Sequence, residues 1–373
     1  MKKSSNWLTG ICGMLLISVL IAGCGGGGSG SSSSTPSGTD SNPSSGGEIV
    51  GFASLGTGTS GGAGGQQIVV TSGQQLADIM KPREKTSDPK TPLILYISGT
   101  ISGYTSEISI KRTGNISILG IGNNAVIQDF GFKIVDSSNI VIRNIAFRDC
   151  HSDEKDGIAV EGCNNIWVDH CSFTDSPDND PNGSRHDGSL DIKKGSYNVT
   201  VSWNHFMNHR KTCLLGHSKS ETGDVNLAVT YHHNWFDGTY SRHPRARYGK
   251  AHIFNNYYSN VGILGSDRGG YGVGSTCQAQ VYLEANYFEN TPHPTLISQI
   301  NDPGNTLSGE PAGYLKASNN YRDDSSGEIV EYLPANVFDP RSFYPYTAEN
   351  AQSVKNSVMS GAGPVLNLVA ASE

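Results

Sequence analysis

The segment RHPRAR, residues 242–247, places three arginines within six residues of a chain whose formal net charge is -7. Arginines that close repel one another unless an anion sits among them or they splay into solvent. Acids of matching interest lie upstream. In HDGSLDIKKG, Asp187 and Asp191 are four apart, and in DEKDGIAVEG, Glu154 and Asp156 are two apart. Even spacing puts each pair on one face of a strand. If the two segments lie side by side in a sheet, about 4.8 Å apart, all four acids can converge on one cation. A set of hard oxygen ligands suits Ca²⁺ better than Zn²⁺; the bland alternative is acidic decoration of a solvated face. MNHRKTCLLG then offers Lys211 ahead of the arginines. Arg242 and Arg247 are five apart and would face opposite sides of a straight strand, but Pro244 fixes its own φ and holds His243 extended, so a bent loop is expected. Cations in adjacent layers beside a metal site make a clamp for a repeating polyanion. Arg245 has no evident partner and is read as exposed.

Such a constellation needs a scaffold that stacks distant segments, and the chain carries one as a repeat. Asparagine introduces successive β-type runs at Asn115, Asn139, Asn165, Asn198 and Asn226, in steps of 24, 26, 33 and 28 residues. Units of that size stack, and asparagine suits a turn that recurs at one corner. Aligning the runs also aligns Phe147, Phe173, Phe206, Phe236, Tyr258 and Phe288, a column expected to stack inside the molecule. Parallel strands without helical crossovers exclude a doubly wound sheet and predict an all-β, right-handed parallel β-helix. One helix is expected, after Ser72 and Gln75, with Leu76, Ile79 and Met80 on its buried side and Pro82 as its stop, capping the open end of the solenoid.

The first residues have another character. A positive start, MKKSSN, leads into a short apolar run ending Ile21-Ala22-Gly23-Cys24. This is an export signal over 1–24 of the lipoprotein type, with Cys24 as the lipidation site. Residues 25–47 read as a Gly/Ser-rich flexible linker, and 48–373 as one domain. The protein is expected to be secreted or held at the cell surface or outer membrane as a lipoprotein, touching membrane only through that anchor. The remaining cysteines, Cys150, Cys163, Cys171, Cys213 and Cys277, are odd in number and read mostly as small buried residues. His170, His232 and His233 are assigned structural hydrogen bonds rather than zinc. The acidic balance makes attraction for a polyanion local, and no basic surface or motif supports nucleic acid. A monomer is the default.

Taken together, WVDHCSFTD, DGSLDIKKGSYNVTVSWNHF and YHHNWFDGTYSRHPRARYGKAHIFNNYY resemble the pectate lyases of polysaccharide lyase family 1 over roughly residues 70–325. The resemblance implies a parallel β-helix enzyme that cleaves polygalacturonate by β-elimination, leaving a 4,5-unsaturated uronate. It implies Arg242 as the base, Lys211 and Arg247 on substrate carboxylates, and Ca²⁺ on Asp156, Asp187 and Asp191, with Glu154 at an accessory position. Two rivals remain. A pectin lyase acting on neutral esters has no need of these aspartates, and a non-catalytic pectin-binding surface protein has no need of a base. A guanidinium acting as base must have its pKa pushed down by neighbouring cations and exclusion of water. Activity is therefore expected to rise into the alkaline range, and an acidic optimum in saturating Ca²⁺ would count against Arg242.

Overall fold

Each short apolar run pairs, in parallel, with its counterpart one repeat before and one repeat after. Asn164–Asp169, for instance, lies between Ser138–Arg143 and Tyr197–Ser202. In the computed structural model, which describes residues 47–176 and 184–370, this pairing builds three sheets of ten, nine and eight strands, and strand order within each follows the chain. The expected parallel β-helix is the observed architecture. The signal, Cys24 and the linker up to residue 46 lie outside the described residues.

The corners explain the asparagines. Asn115, Asn139, Asn165 and Asn198 adopt φ of 56°, 54°, 53° and 53°, the left-handed conformation this side chain tolerates. Asn226 differs: it closes a 3₁₀ turn, Thr222–Asn226. A second asparagine set, not anticipated, lines another corner. The side-chain amides of Asn204, Asn234, Asn256 and Asn286 each donate to the side-chain carbonyl of the next coil's asparagine, ending on Asn320, at 3.0, 2.9, 3.0 and 2.9 Å. The same carbonyls accept from the backbone N–H of Asn204, Asn234, Asn256 and Asn286. Buried amides are thereby satisfied along the full ladder.

Beside the ladder runs the aromatic column. Phe147, Phe173, Phe206, Phe236, Tyr258 and Phe288 stack with successive centroid separations of 5.1, 5.0, 5.1, 5.0 and 4.4 Å, all of them buried. Helix α1, Gly73–Arg83, is capped by Ser72, whose hydroxyl accepts from Gln75 N–H at 3.2 Å. Gln75 returns its carbonyl to Thr71 N–H. Leu76 and Met80 join the core, and the helix passes Pro82 by one residue. A second helix, α2 at Ala351–Gly361, was not expected; Val354 and Val358 pack it on Tyr257. All five described cysteines are free and buried. His232 and His233 bond to each other at 2.9 Å, and His233 bonds Glu349 at 2.9 Å, so these histidines are structural.

Truncating one ring interrupts the column, because its neighbours are held apart by the coil spacing and cannot collapse. Phe206→Ala is expected to lose about 3–5 kcal/mol in denaturant unfolding. A loss under about 1 kcal/mol would show that the column is not under packing constraint.

Candidate active site

The eight-stranded sheet brings the candidate residues together at the leading ends of four consecutive strands. Ile158–Glu161 pairs with Leu190–Lys193, which pairs with Leu214–Leu215, which pairs with Arg245–Arg247. Asp156 stands just ahead of the first strand, Asp187 and Asp191 ahead of and within the second, Lys211 ahead of the third and Arg242 ahead of the fourth. Segments separated by up to 86 positions, 156 to 242, therefore share one lip.

Three of the four acids singled out by spacing converge. Asp156, Asp187 and Asp191 each present a carboxylate oxygen within 4.8 Å of the others. Asp156 accepts from Gly188 N–H at 2.7 Å and Asp191 from Leu214 N–H at 2.9 Å. Position 188 must be glycine, since a Cβ there would lie 2.4 Å from Asp191 Oδ1 and 3.0 Å from Asp156 Oδ1. Asp191 Oδ2 is buried and makes no hydrogen bond. Lys193, absent from the sequence expectations, reaches between the two buried acids, its Nζ 3.5 Å from each. Burial, and their charges on each other, push the carboxyl of Asp156 well up; burial raises Asp191 as well, with Lys193 opposing both. Asp187 behaves oppositely. Burial acts to raise it, but the Lys211 ammonium at 2.9 Å and the charge of Arg242 hold its pKa below the usual value. Glu154 is not part of this group: it is exposed in a turn and pairs with Lys133.

The arginines separate into two kinds. The Arg242 guanidinium has no hydrogen-bond or ion-pair partner among the described residues, while its backbone carbonyl accepts from Cys213 N–H at 2.7 Å. Its φ is 69°, a sparsely populated conformation for a side chain of this size. Next to it, fully buried His243 is held neutral, burial lowering its pKa to about 3. His243 Nδ1 donates to the Tyr271 carbonyl at 2.8 Å and Nε2 accepts from Thr212 at 3.1 Å. Arg245, expected to be exposed, is buried and bonds Glu310 at 3.0 Å and the Leu307 carbonyl at 3.0 Å. Arg247 bonds both oxygens of Glu310 at 2.9 Å and the Gly216 carbonyl at 3.1 Å. The anion among these two arginines is thus a carboxylate of the protein itself.

Comparison with known proteins shows the family. The family model described as "Pectate lyase" matches residues 17–365. The chain belongs to the pectate lyase family. It is 35% identical over 326 residues to a pectate trisaccharide-lyase of Bacillus licheniformis, covering 86% of this chain and 88% of that one. The corresponding enzyme of Thermotoga maritima is 33% identical over 341 residues, covering 84% and 88%. Among solved structures, the pectate lyase of Bacillus sp. N165 in complex with trigalacturonate superposes with a TM-score of 0.70 at 28% identity, covering 85% of this chain and 99% of that one. Pectate lyase II of Xanthomonas campestris gives 0.71 at 26% identity, covering 86% and 100%.

Within this pectate lyase, sequence reasoning overlooked Glu310 and Lys193. Glu310 lies 63 positions beyond Arg247, in a loop that belongs to no repeat. Lys193 was detectable, because it stands two residues after Asp191 on the same face of one strand. The donor set fits a hard cation: three carboxylates, one with an orphaned buried oxygen, around a glycine that keeps the space between them open.

The raised carboxyls have a consequence for stability. A carboxyl whose pKa is higher in the folded chain than in the unfolded one stabilises the fold below the unfolded value, and that contribution is lost as pH rises through the folded value. In chelator, Asp191→Asn is therefore expected to melt about 2–4 °C above the parent near neutral pH. The difference should close as pH falls through the raised range, and Ca²⁺ should stabilise the parent but not the variant. A variant that melts lower throughout would contradict the assignment of repulsion to this pair.

Proposed function

We propose that the chain cleaves (1,4)-α-D-galacturonan by calcium-dependent β-elimination. The observation that carries this reading is the clustering of Asp156, Asp187 and Asp191 beside Lys211 and Arg242 on one lip of the solenoid. Asp156, Asp187 and Asp191 are the proposed ligands. Ca²⁺ held there supplies the charge that neutralises a bound uronate carboxylate and so acidifies the C5–H beside it. Glu154, paired elsewhere, is left out of the ligand set.

Lys211 lies half in solvent, its ammonium on Asp187, and is the proposed ligand of a substrate carboxylate. Arg242 is the proposed base. Its side chain, with no acceptor holding it, takes the C5 proton in the neutral guanidine form and becomes the guanidinium; the C5–H electrons form the C4=C5 bond, the C4–O bond breaks, the leaving oxygen takes a proton from water, and the hydroxide so formed is neutralised by the proton that the guanidinium gives up as the base is restored. The product is an oligosaccharide with a 4-deoxy-α-D-galact-4-enuronosyl non-reducing end. Preorganised positive charge around the enolate-like carboxylate is the main source of acceleration. Arg247, committed to Glu310, is proposed to act from behind the lip, holding the strand that follows Arg242 and adding positive potential, rather than as a free fork for substrate.

The trigalacturonate bound by the Bacillus sp. N165 relative supports a galacturonan as ligand, and the two trisaccharide-lyases among the relatives support release of short oligomers. The aspartate cluster would be idle on a neutral methyl ester, which separates this reading from a pectin lyase. Export, with lipid attachment at Cys24, is the proposed localisation and would hold the enzyme where extracellular polymer is met.

Ultraviolet absorbance of the unsaturated uronate, with polygalacturonate at alkaline pH, tests the proposal. Absorbance should rise with Ca²⁺ and stop with chelator. Arg242→Ala should lower kcat by about 10²–10⁴-fold, whereas Lys211→Ala should act mainly on KM. Turnover that persists in chelator removes calcium from the mechanism, and full activity in Arg242→Ala removes the base.

A further inference from the structure

A second group of metal-type side chains stands beside the aspartate cluster and has no part in the chemistry above. Asp149, Asp175 and His186 offer ligand atoms that all lie within 4.8 Å of one another. We propose that these three side chains form a second, distinct metal site, for a divalent transition metal of the Zn²⁺ class.

The argument begins with His186. The residue is 94% buried, being 6% exposed, and its Nε2 makes no hydrogen bond. That nitrogen faces Asp149 Oδ1 at 3.6 Å and Asp175 Oδ1 at 3.8 Å. Both distances exceed a hydrogen bond, which would draw such atoms to about 2.7–3.2 Å. They are close to the spacing of ligands around a tetrahedral ion: with metal–ligand bonds of about 2.0–2.1 Å, neighbouring ligand atoms lie about 3.3 Å apart. A contraction of a few tenths of an ångström would close the shell.

The carboxylates are also oriented from outside, as metal ligands commonly are. Asp149 accepts from Ser176 N–H at 2.5 Å and from the Ser176 hydroxyl at 2.6 Å. Asp175 is held by His209 Nδ1. The other nitrogen of His209 meets the Asp187 carbonyl at 3.0 Å, so one imidazole braces an Asp175 carboxylate toward this site and the backbone of an aspartate in the first. An imidazole with two carboxylates distinguishes the two sites chemically. Calcium takes oxygen, whereas imidazole suits Zn²⁺, Co²⁺ and their neighbours. Three protein ligands leave a fourth position open, and Asp175 and His186 line a cavity of about 360 Å³ that Asp187 also lines. The open position therefore faces the same space as the first site.

The test is Co²⁺ binding to tag-free full chain in saturating Ca²⁺, followed by equilibrium dialysis and by the visible ligand-field absorbance that Ca²⁺ lacks. One Co²⁺ per chain is expected, displaced by Zn²⁺. Affinity should fall at least tenfold in His186→Gln and in Asp149→Asn, with circular dichroism showing both folded, and should change less than twofold in Asp191→Asn. Absence of Co²⁺ binding by the parent, or equal binding by parent and His186→Gln, overturns the site and leaves His186 as a buried structural imidazole between two carboxylates. Parallel loss of Co²⁺ and Ca²⁺ in Asp191→Asn overturns its independence.

Discussion

Coils can stack into a solenoid only if each turns its corners in register with the next, and here side-chain amides impose that condition. Every rung of the ladder from Asn204 to Asn286 spends one amide hydrogen on the coil ahead and another on a backbone carbonyl of the coil behind, such as Val201 for Asn234 and Tyr231 for Asn256. A coil displaced by one residue would turn its whole apolar face outward and strand these buried amides without partners. The aromatic column beside the ladder needs the same alignment. Once the corners are fixed, the leading ends of the eight-stranded sheet are fixed too, and with them the relative positions of residues as far apart in sequence as Asp156 and Arg242.

Against that rigid frame the site is an exercise in placing charge where water cannot screen it. Two buried carboxylates, Asp156 and Asp191, share one ammonium, Lys193. Two buried guanidiniums, Arg245 and Arg247, share one carboxylate, Glu310. Each buried group is thus partly answered within the protein, as low dielectric demands. Lys211, on Asp187, and Arg242, without a partner among the described residues, stand outside these shared sets, ahead of the next two strands of the same sheet. Removing the shared group, Lys193 or Glu310, would leave like charges together, so these assemblies are tuned as sets.

The repeat, the parallel pairing, the aromatic column and the convergence of Asp156, Asp187 and Asp191 were legible because all are periodic, and period is what a chain displays on its face. The second asparagine set escaped notice because its members follow an apolar run rather than introduce one, as Asn204 follows Tyr197–Ser202. Arg245 looked solvent-exposed because its partner Glu310 comes from a non-repeating loop. Helix α2 has a capping Asn350 and a terminal glycine, but its few apolar positions make a weak stripe, and its placement depends on the rings of Tyr257 and Trp235. Glu154 stands apart from the three aspartates, exposed in a turn and paired with Lys133.

Along the ladder, successive asparagines are separated by 30, 22, 30 and 34 positions, yet the hydrogen bonds between them vary by no more than a tenth of an ångström. The chain between rungs can lengthen by half without the rungs moving. Loop closure costs little for such additions, since its entropy grows only with the logarithm of length. The architecture thus separates two kinds of inheritance: a frame that tolerates almost no change in phase, and connecting loops whose length is free to drift. A lineage could remodel the surface that these connecting loops build through insertions alone and leave the frame's thermodynamics nearly untouched.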